Sequence, residues 1–442
     1  MDVLVIQGGT PLKGIIALAG AKNVALKALV ATLLTDEPVA LSGIPLIKDV
    51  ELMAELVSGL GRSVVVSDHT IQIEADGAMA IQVPLELGAR LRTSSMVLGP
   101  LLARQGEAII PNPGGCRIGA RPIDRHIEGL EKMGAVISYH SDDGYFHAKA
   151  KKLKGVTYEF PKNTHTGTET LLLAAVLAEG TTVLKNAAQE VEIDDLIALL
   201  SAMGARITRP RAREIIIEGV PRLHGARYTI MPDRNEEVTC AIAAAVTGGA
   251  ITVTNSQYRT LGAFFDAFKK AGGIAEQKGN EVTYKAEGQI VAVDVVTHPH
   301  PGFMTDWQAP WAVLMTQAAG TSRIHETVFE SRFSYVSELQ KMGAQIAFYD
   351  PKVPNPEVFY NYNWSDRVPE HEQAIRITGP TPLHNAVVDI TDLRAGATLV
   401  LAALAASGES YVHGVEHLDR GYEAFDVRLA ALGAKLKRIH EK

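Results

Sequence analysis

One phrase recurs six times along the chain: an amphipathic helix closing on a small Gly-containing motif, followed by a β-rich run. It reads LVSGLGRSVVV, LEKMGAVISY, LSAMGARITR, FKKAGGIAEQ, LQKMGAQIAF and LAALGAKLKR. The marker glycines are Gly61, Gly134, Gly204, Gly272, Gly343 and Gly433, separated by 73, 70, 68, 71 and 90 residues. Glycine suits that place because the residue after a helix favours the left-handed conformation, which glycine adopts without strain. A second phrase falls about midway in each copy: helix, Gly-containing turn, short strand, as in ARQGEAIIP, LAEGTTVLK, VTGGAITVT, QAAGTSRIH and AASGESYVH, with DEPVALSG as the variant first copy. A period of this kind dictates the architecture, since each copy is one supersecondary unit. Each copy is helix, strand, helix, then two or three strands, which makes the chain α/β.

The long last interval contains a polar, Pro-containing stretch at 351–372. It is expected to be an insertion of roughly 20 residues between two strands, with a tolerated surface loop as the simple reading and a functional lid as the other. The chain ends also belong together. From a marker glycine to the next helix start takes 31 residues for Gly61 to Arg92 and 30 for Gly204 to Arg234. After Gly433 only nine residues remain, and the 22 residues through Lys22 complete the same distance. Residues 1–21 are therefore expected to complete the C-terminal domain. The expected domains are 22–231 and 232–442 plus 1–21, with the active site in the cleft between them.

Composition excludes several function classes. The net charge of -7 argues against a general nucleic-acid binder, which carries a basic stripe. No apolar run approaches the roughly 20 residues of a membrane span, and the N-terminus lacks a signal-type pattern, so a cytoplasmic protein is expected. Two cysteines in unlike contexts, Cys116 and Cys240, offer neither a disulfide framework nor zinc spacing.

Each copy's first helix opens on an unusual set: Lys22-Asn23, Arg92-Thr93-Ser94, Thr164-His165-Thr166, Asp233-Arg234, Thr305-Asp306 and Asp392-Leu393-Arg394. Beyond these starts the helices turn apolar all round, as in VALKALVATLL and TLVLAALAA, which predicts burial with only the N-termini emerging. Thr305, Asp392 and Asp233 read equally well as N-caps. Lys22, Arg92, Arg234 and Arg394 do not, because a cation opposes the helix dipole at that end and is expected to serve an anion. Arg121, Arg332 and Arg420 before the second helices strengthen the expectation of a polyanionic ligand. The loop PNPGGCRIGARPIDRH (111–126) sets Cys116 beside Arg117 and Arg121, cations that favour a reactive thiolate. Cys240, on an apolar helix, reads as packing.

Lys22-Asn23, the Gly-Gly-Cys loop followed by GARPID, TDWQ (305–308), ESRF (330–333), TDLR (391–394) and HLDRGYE (417–423) occur in an order that resembles the UDP-N-acetylglucosamine 1-carboxyvinyltransferase family across essentially the whole chain. The cysteine loop separates that family from its fold relative, EPSP synthase. The resemblance implies two inside-out α/β domains of three repeats each. It also implies transfer of the enolpyruvyl group of phosphoenolpyruvate to the sugar 3′-hydroxyl, the first committed step of peptidoglycan synthesis, with loss of phosphate and no metal or organic cofactor. By the same resemblance Cys116 is the mobile-loop general acid and the residue alkylated by fosfomycin, and Asp306 the base near the sugar hydroxyl. Lys22, Arg121 and Arg394 hold phosphoenolpyruvate, supported by Arg92 and Arg420. Asn23, Asp124, Arg332 and Val328 surround the UDP-sugar.

Two departures fall on the acceptor side of that pattern. The uridine-side loop KNTHTGTET (162–170) keeps Lys162, Gly167, Thr168 and Glu169 but introduces His165, either a nucleotide contact or merely exposed, and Trp307 stands where a smaller residue is common. An enolpyruvyl transferase for a different nucleotide sugar, or for shikimate 3-phosphate, is one alternative; the Cys116 loop argues against shikimate. A non-catalytic nucleotide-sugar-binding protein is another, disfavoured by Cys116 and Asp306 together. An RNA-end-processing enzyme is disfavoured by the acidic balance.

Overall fold

The computed structural model describes residues 2–114 and 122–441. Residues 20–114 and 122–231 form one compact unit, here the first unit, and residues 2–19 and 232–441 form the second. Each has its own apolar core.

Among the described residues the strands form six small sheets, three to a unit. The six share one plan. The strand after a copy's first helix pairs in antiparallel fashion with the copy's last strand, which pairs with the strand between them. In the Thr181–Lys185 sheet, for example, the order is Arg206–Arg211, Glu214–Glu218, Thr181–Lys185, then Thr157–Glu159 in parallel from the preceding copy. The same borrowed edge closes each unit into a ring. Arg227–Thr229 runs parallel to Val39–Ser42 in the first unit, and Lys13–Ala17 runs parallel to Ala250–Thr254 in the second. The strand Asp2–Gln7 lies between Glu409–His413 and Lys435–His440, so the last sheet takes its third strand from the start of the chain.

The apolar first helices sit inside. In the first unit these are Lys22–Ala31, Leu98–Gln105 with its preceding 3-10 turn Arg92–Val97, and His165–Ala175. In the second they are Arg234–Val246, Gln308–Thr316 with the 3-10 turn Thr305–Trp307, and Leu393–Ala405. Their side chains are buried almost all round, while the sheets turn one face outward, where Val65 and Val136 are exposed. This is the inside-out α/β arrangement of three repeats per unit.

The 351–372 insertion lies mostly at the surface and is anchored by two buried tyrosines. Its short helix Pro356–Phe359 leads into Tyr360 and Tyr362, which are 2% and 5% exposed. Tyr360 stacks on Trp364 with ring centroids 4.5 Å apart, and Arg367 lies over the Trp364 ring. The Asn361 N–H donates to the Thr327 carbonyl at 2.8 Å, and the Tyr360 hydroxyl sits 2.9 Å from His325 Nε2. Burial, with His298 nearby, pushes His325 down to about 4, so the ring is neutral at physiological pH and suits that buried contact. The insertion thereby braces the segment that leads to Glu326, Val328 and Arg332.

All six marker glycines have φ between 90° and 98°. A side chain there costs about 1–2 kcal/mol from the backbone alone. Around Gly433 a Cβ would meet nothing within 4 Å, whereas at Gly61 it would lie 2.6 Å from the Ala78 carbonyl oxygen. Denaturant unfolding should show Gly433→Ala losing only the backbone cost and Gly61→Ala clearly more; equal losses would contradict the close approach at Gly61.

Candidate functional site

The second unit gathers its polar groups at the starts of its buried helices. Asp392 caps Leu393–Ala405, its Oδ1 accepting the N–H groups of Arg394 and Ala395. The cap leaves Arg394 in the first turn with its guanidinium turned to Asp306: Nε donates to Asp306 Oδ1 at 3.1 Å and Nη1 to the Tyr422 hydroxyl at 2.9 Å. Arg332 completes the group, donating from Nη2 to the same Asp306 Oδ1 at 3.1 Å and from Nε to Thr305 Oγ1 at 3.1 Å. Both arginine side chains are under 10% exposed, and Asp306 retains 23%. Burial works against the Asp306 charge, yet Arg394 and Arg332 more than offset it, holding the carboxyl well below the usual range.

Thr305 differs from the cap expected of it. The residue before the turn is Met304, and Thr305 Oγ1 donates to fully buried Glu326 at 2.8 Å while accepting from Arg332. Glu326 also accepts the N–H groups of Val328 and Phe329, at 2.7 and 3.1 Å. A threonine at a helix start is thus used to join the Arg332 segment to the Asp306 turn. Arg234 departs from the anion-facing expectation too. It is fully buried, donating to the Thr260 carbonyl and lying 3.0 Å from His300 Nδ1. Trp307 is a core residue, 1% exposed, its indole N–H donating to Asn235 Oδ1 at 2.9 Å and its ring packed edgewise on Phe264 and Phe303. Arg420 is half-buried after the short helix Val415–Leu418.

In the first unit Lys22 opens its helix with Nζ 2.8 Å from buried Asp49, and Asn23 follows, half-buried. Arg92 donates from Nη1 to the Pro113 carbonyl at 3.3 Å, and Asp124 is the first residue of the helix Asp124–Lys132. Thr164 caps His165–Ala175 by accepting the Gly167 N–H at 3.2 Å. Two-thirds of the 162–170 segment is therefore helix, with Lys162 half-buried just ahead of it. His165 turns inward, its Nε2 3.1 Å from Oε1 of fully buried Glu169; Lys27 Nζ reaches the same oxygen at 3.3 Å. Burial pushes the His165 pKa down, but Glu169 outweighs it despite opposition from Lys27, so the net direction is up. Cys116 and Arg121 lie outside the described residues.

Lys27, Glu326 and Tyr422 were not singled out by the pattern of helix starts. Lys27 had a signal, being the one charged residue inside the apolar run VALKALVATLL. The signal at Glu326 was weaker, a lone acid closing the strand Gly320–His325.

A carboxylate held below its unfolded value contributes stability that is present above about pH 4 and lost as pH falls through the folded value. Asp306→Asn should therefore be less stable than wild type by about 2 kcal/mol at pH 7, after allowance for its partial exposure. Urea titrations across pH should show the gap shrinking below about pH 4; a gap that grows in acid would count against the pairing.

Comparison with known proteins accords with this geometry. Residues 6–429 match the EPSP synthase (3-phosphoshikimate 1-carboxyvinyltransferase) family. A UDP-N-acetylglucosamine 1-carboxyvinyltransferase of Acidobacterium capsulatum is 44% identical over 99% of this chain and 96% of its own length. The protein of that name from Magnetococcus marinus is 44% identical over 99% of this chain and 100% of its own. Among solved structures, the enolpyruvyl transferase NikO from Streptomyces tendae superposes with a TM-score of 0.85 at 24% identity, covering 99% of both chains. An EPSP synthase from Acinetobacter baumannii gives 0.74 at 18% identity over the full length of both. These two likenesses bear on the fold. With the family match over nearly its whole length and relatives at 44% identity, the chain belongs to the enolpyruvyl transferases, within the UDP-N-acetylglucosamine 1-carboxyvinyltransferase family.

Proposed function

We propose that this protein transfers the enolpyruvyl group of phosphoenolpyruvate to the 3′-hydroxyl of UDP-N-acetylglucosamine, releasing phosphate, in the cytoplasmic first committed step of peptidoglycan synthesis. The observation that carries this reading is the sharing of Asp306 Oδ1 between Arg394 and Arg332 in a chain so close to relatives of that name. A carboxylate clamped by two guanidiniums is a poor base. An anionic substrate that draws Arg394 away would return basicity to Asp306 as the acceptor hydroxyl arrives. Binding of one substrate would then switch on the base for the other. Arg332, tied to Thr305 and through it to Glu326, stays in place and keeps the carboxylate oriented.

On this reading Lys22, Arg121 and Arg394 hold the phosphate and carboxylate of phosphoenolpyruvate, with Arg92 and Arg420 beside them. Cys116 delivers the proton to the enol carbon. Asn23, Asp124, Lys162, Gly167, Val328 and Arg332 serve the UDP-sugar, and His165 acts through Glu169. Addition of the sugar oxygen to C2 and a proton to C3 gives a tetrahedral intermediate. Loss of phosphate and of a C3 proton restores the double bond in the product.

Phosphate release from phosphoenolpyruvate should require UDP-N-acetylglucosamine. Release with shikimate 3-phosphate alone would overturn the acceptor, and no release with any sugar nucleotide would favour a non-catalytic binding protein. Asp306→Asn should lower kcat by about 10²–10⁴-fold while ligand binding stays measurable by calorimetry; near-normal turnover would remove Asp306 from the base role. Intact-mass analysis after fosfomycin should give a single adduct on Cys116. Cys240 is 3% exposed and burial pushes its thiol up, so labelling there would refute the assignment.

A further inference from the structure

The first unit carries a second cluster of chemistry-bearing side chains, on the hairpin of Val136–His140 and Tyr145–Lys149. The strands pair with Tyr139 opposite Phe146, His140 opposite Tyr145 and Ser138 opposite His147. Because side chains alternate across a sheet, Tyr139 and Phe146 share one face, where their rings pack at 4.9 Å. His140 and His147 lie diagonally on the other, their rings stacked with centroids 4.1 Å apart and planes 20° apart. The turn between the strands adds Asp143. Its Oδ1 accepts the Tyr145 N–H at 2.9 Å, which fixes the carboxylate, and its Oδ2 lies 2.8 Å from His147 Nε2.

We propose that His140, Asp143 and His147 form a binding site for a late first-row divalent metal ion of the zinc class. One ligand atom from each residue already lies within 4.8 Å of the others. Around a tetrahedral ion with bonds of about 2.0–2.2 Å, ligand atoms sit roughly 3.3–3.5 Å apart. All three side chains have exposed surface, His147 the least at 25%, so closing that distance exchanges the 3.0 Å contact of His140 Nε2 with Ser138 Oγ for the ion and repacks no core.

The donor set selects the ion. Two imidazoles and one carboxylate suit Zn²⁺, Ni²⁺ or Cu²⁺, whereas Mg²⁺ and Ca²⁺ take oxygen shells. Three protein ligands leave a fourth position for water. The scaffold is favourable as well, since the Tyr139–Phe146 pair braces the back of the hairpin, and Asp143 is tied down by the turn it closes. An ion there would link both strands and the turn, stabilising the folded chain in proportion to its occupancy.

The test uses the full-length protein, stripped with a chelator and titrated with Zn²⁺ by calorimetry. The wild type should bind one equivalent that His140→Gln/His147→Gln lacks, with Asp143→Asn weaker than wild type. Cu²⁺ bound in its place should show imidazole nitrogen coupling by electron paramagnetic resonance, lost in the double variant. Excess Zn²⁺ should raise the melting temperature of the wild type and not of the double variant, each compared with its own metal-free melting. An equivalent retained in the double variant, no chelator-reversible equivalent in the wild type, or unchanged affinity in Asp143→Asn would each overturn the three-residue site.

Discussion

Each unit buries three helices together and leaves its sheets outside, and most of the composition follows from that. Helices surrounded on all sides must be apolar all round and close-packed, which requires small residues at the contacts. A Cβ on Gly99 would lie 2.7 Å from the Thr170 carbonyl oxygen, and one on Gly129 only 2.3 Å from Leu171 Cδ1. Alanine runs such as AIAAAV and AALAA serve the same close approach. Polar groups are confined largely to the helix starts, where free N–H groups need partners anyway. The Lys27–Glu169 pair is an exception that joins two of the buried helices, and removing Glu169 would strand the Lys27 charge in the core.

The second unit gathers these polar groups around one carboxylate. Asp392 satisfies the free N–H groups of its helix, which releases the Arg394 side chain to face Asp306. Arg332 arrives from a segment held by Glu326, which accepts two backbone N–H groups and the Thr305 hydroxyl. The 351–372 insertion packs against the same segment through Tyr360 and Asn361. Several ordinary hydrogen bonds therefore converge on one carboxylate whose charge is already compensated. Its basicity is set by whatever competes for the arginines.

The repeated part of this design was legible in the sequence because it is periodic. Gly61 through Gly433 mark helix ends by a backbone requirement that hardly any other residue meets, and the six sheets follow in that order. Asp306 and Arg394 were legible as residue types at first-helix starts, and Arg332 as a cation before a second helix. What the pattern could not supply was direction. Arg234 occupies the same helix position as Lys22, yet its guanidinium folds back toward Thr260 and His300, a matter of rotamer and neighbours. Thr305 looked like a cap and is a bridge to Glu326 instead. Glu326 is held by contacts from the Thr305 turn, 21 residues away, which spacing within one copy does not reveal.

The two departures from the family pattern also change weight once their surroundings are known. Trp307 follows Asp306 directly, but its ring fills the core between Phe264 and Phe303, and its N–H is satisfied by Asn235. A larger residue there repacks the interior and says nothing about the acceptor. His165 is drawn onto Glu169, which also holds Lys27, so its charge answers to a buried carboxylate before it answers to any ligand. Neither residue then supplies a reason to replace UDP-N-acetylglucosamine with another nucleotide sugar.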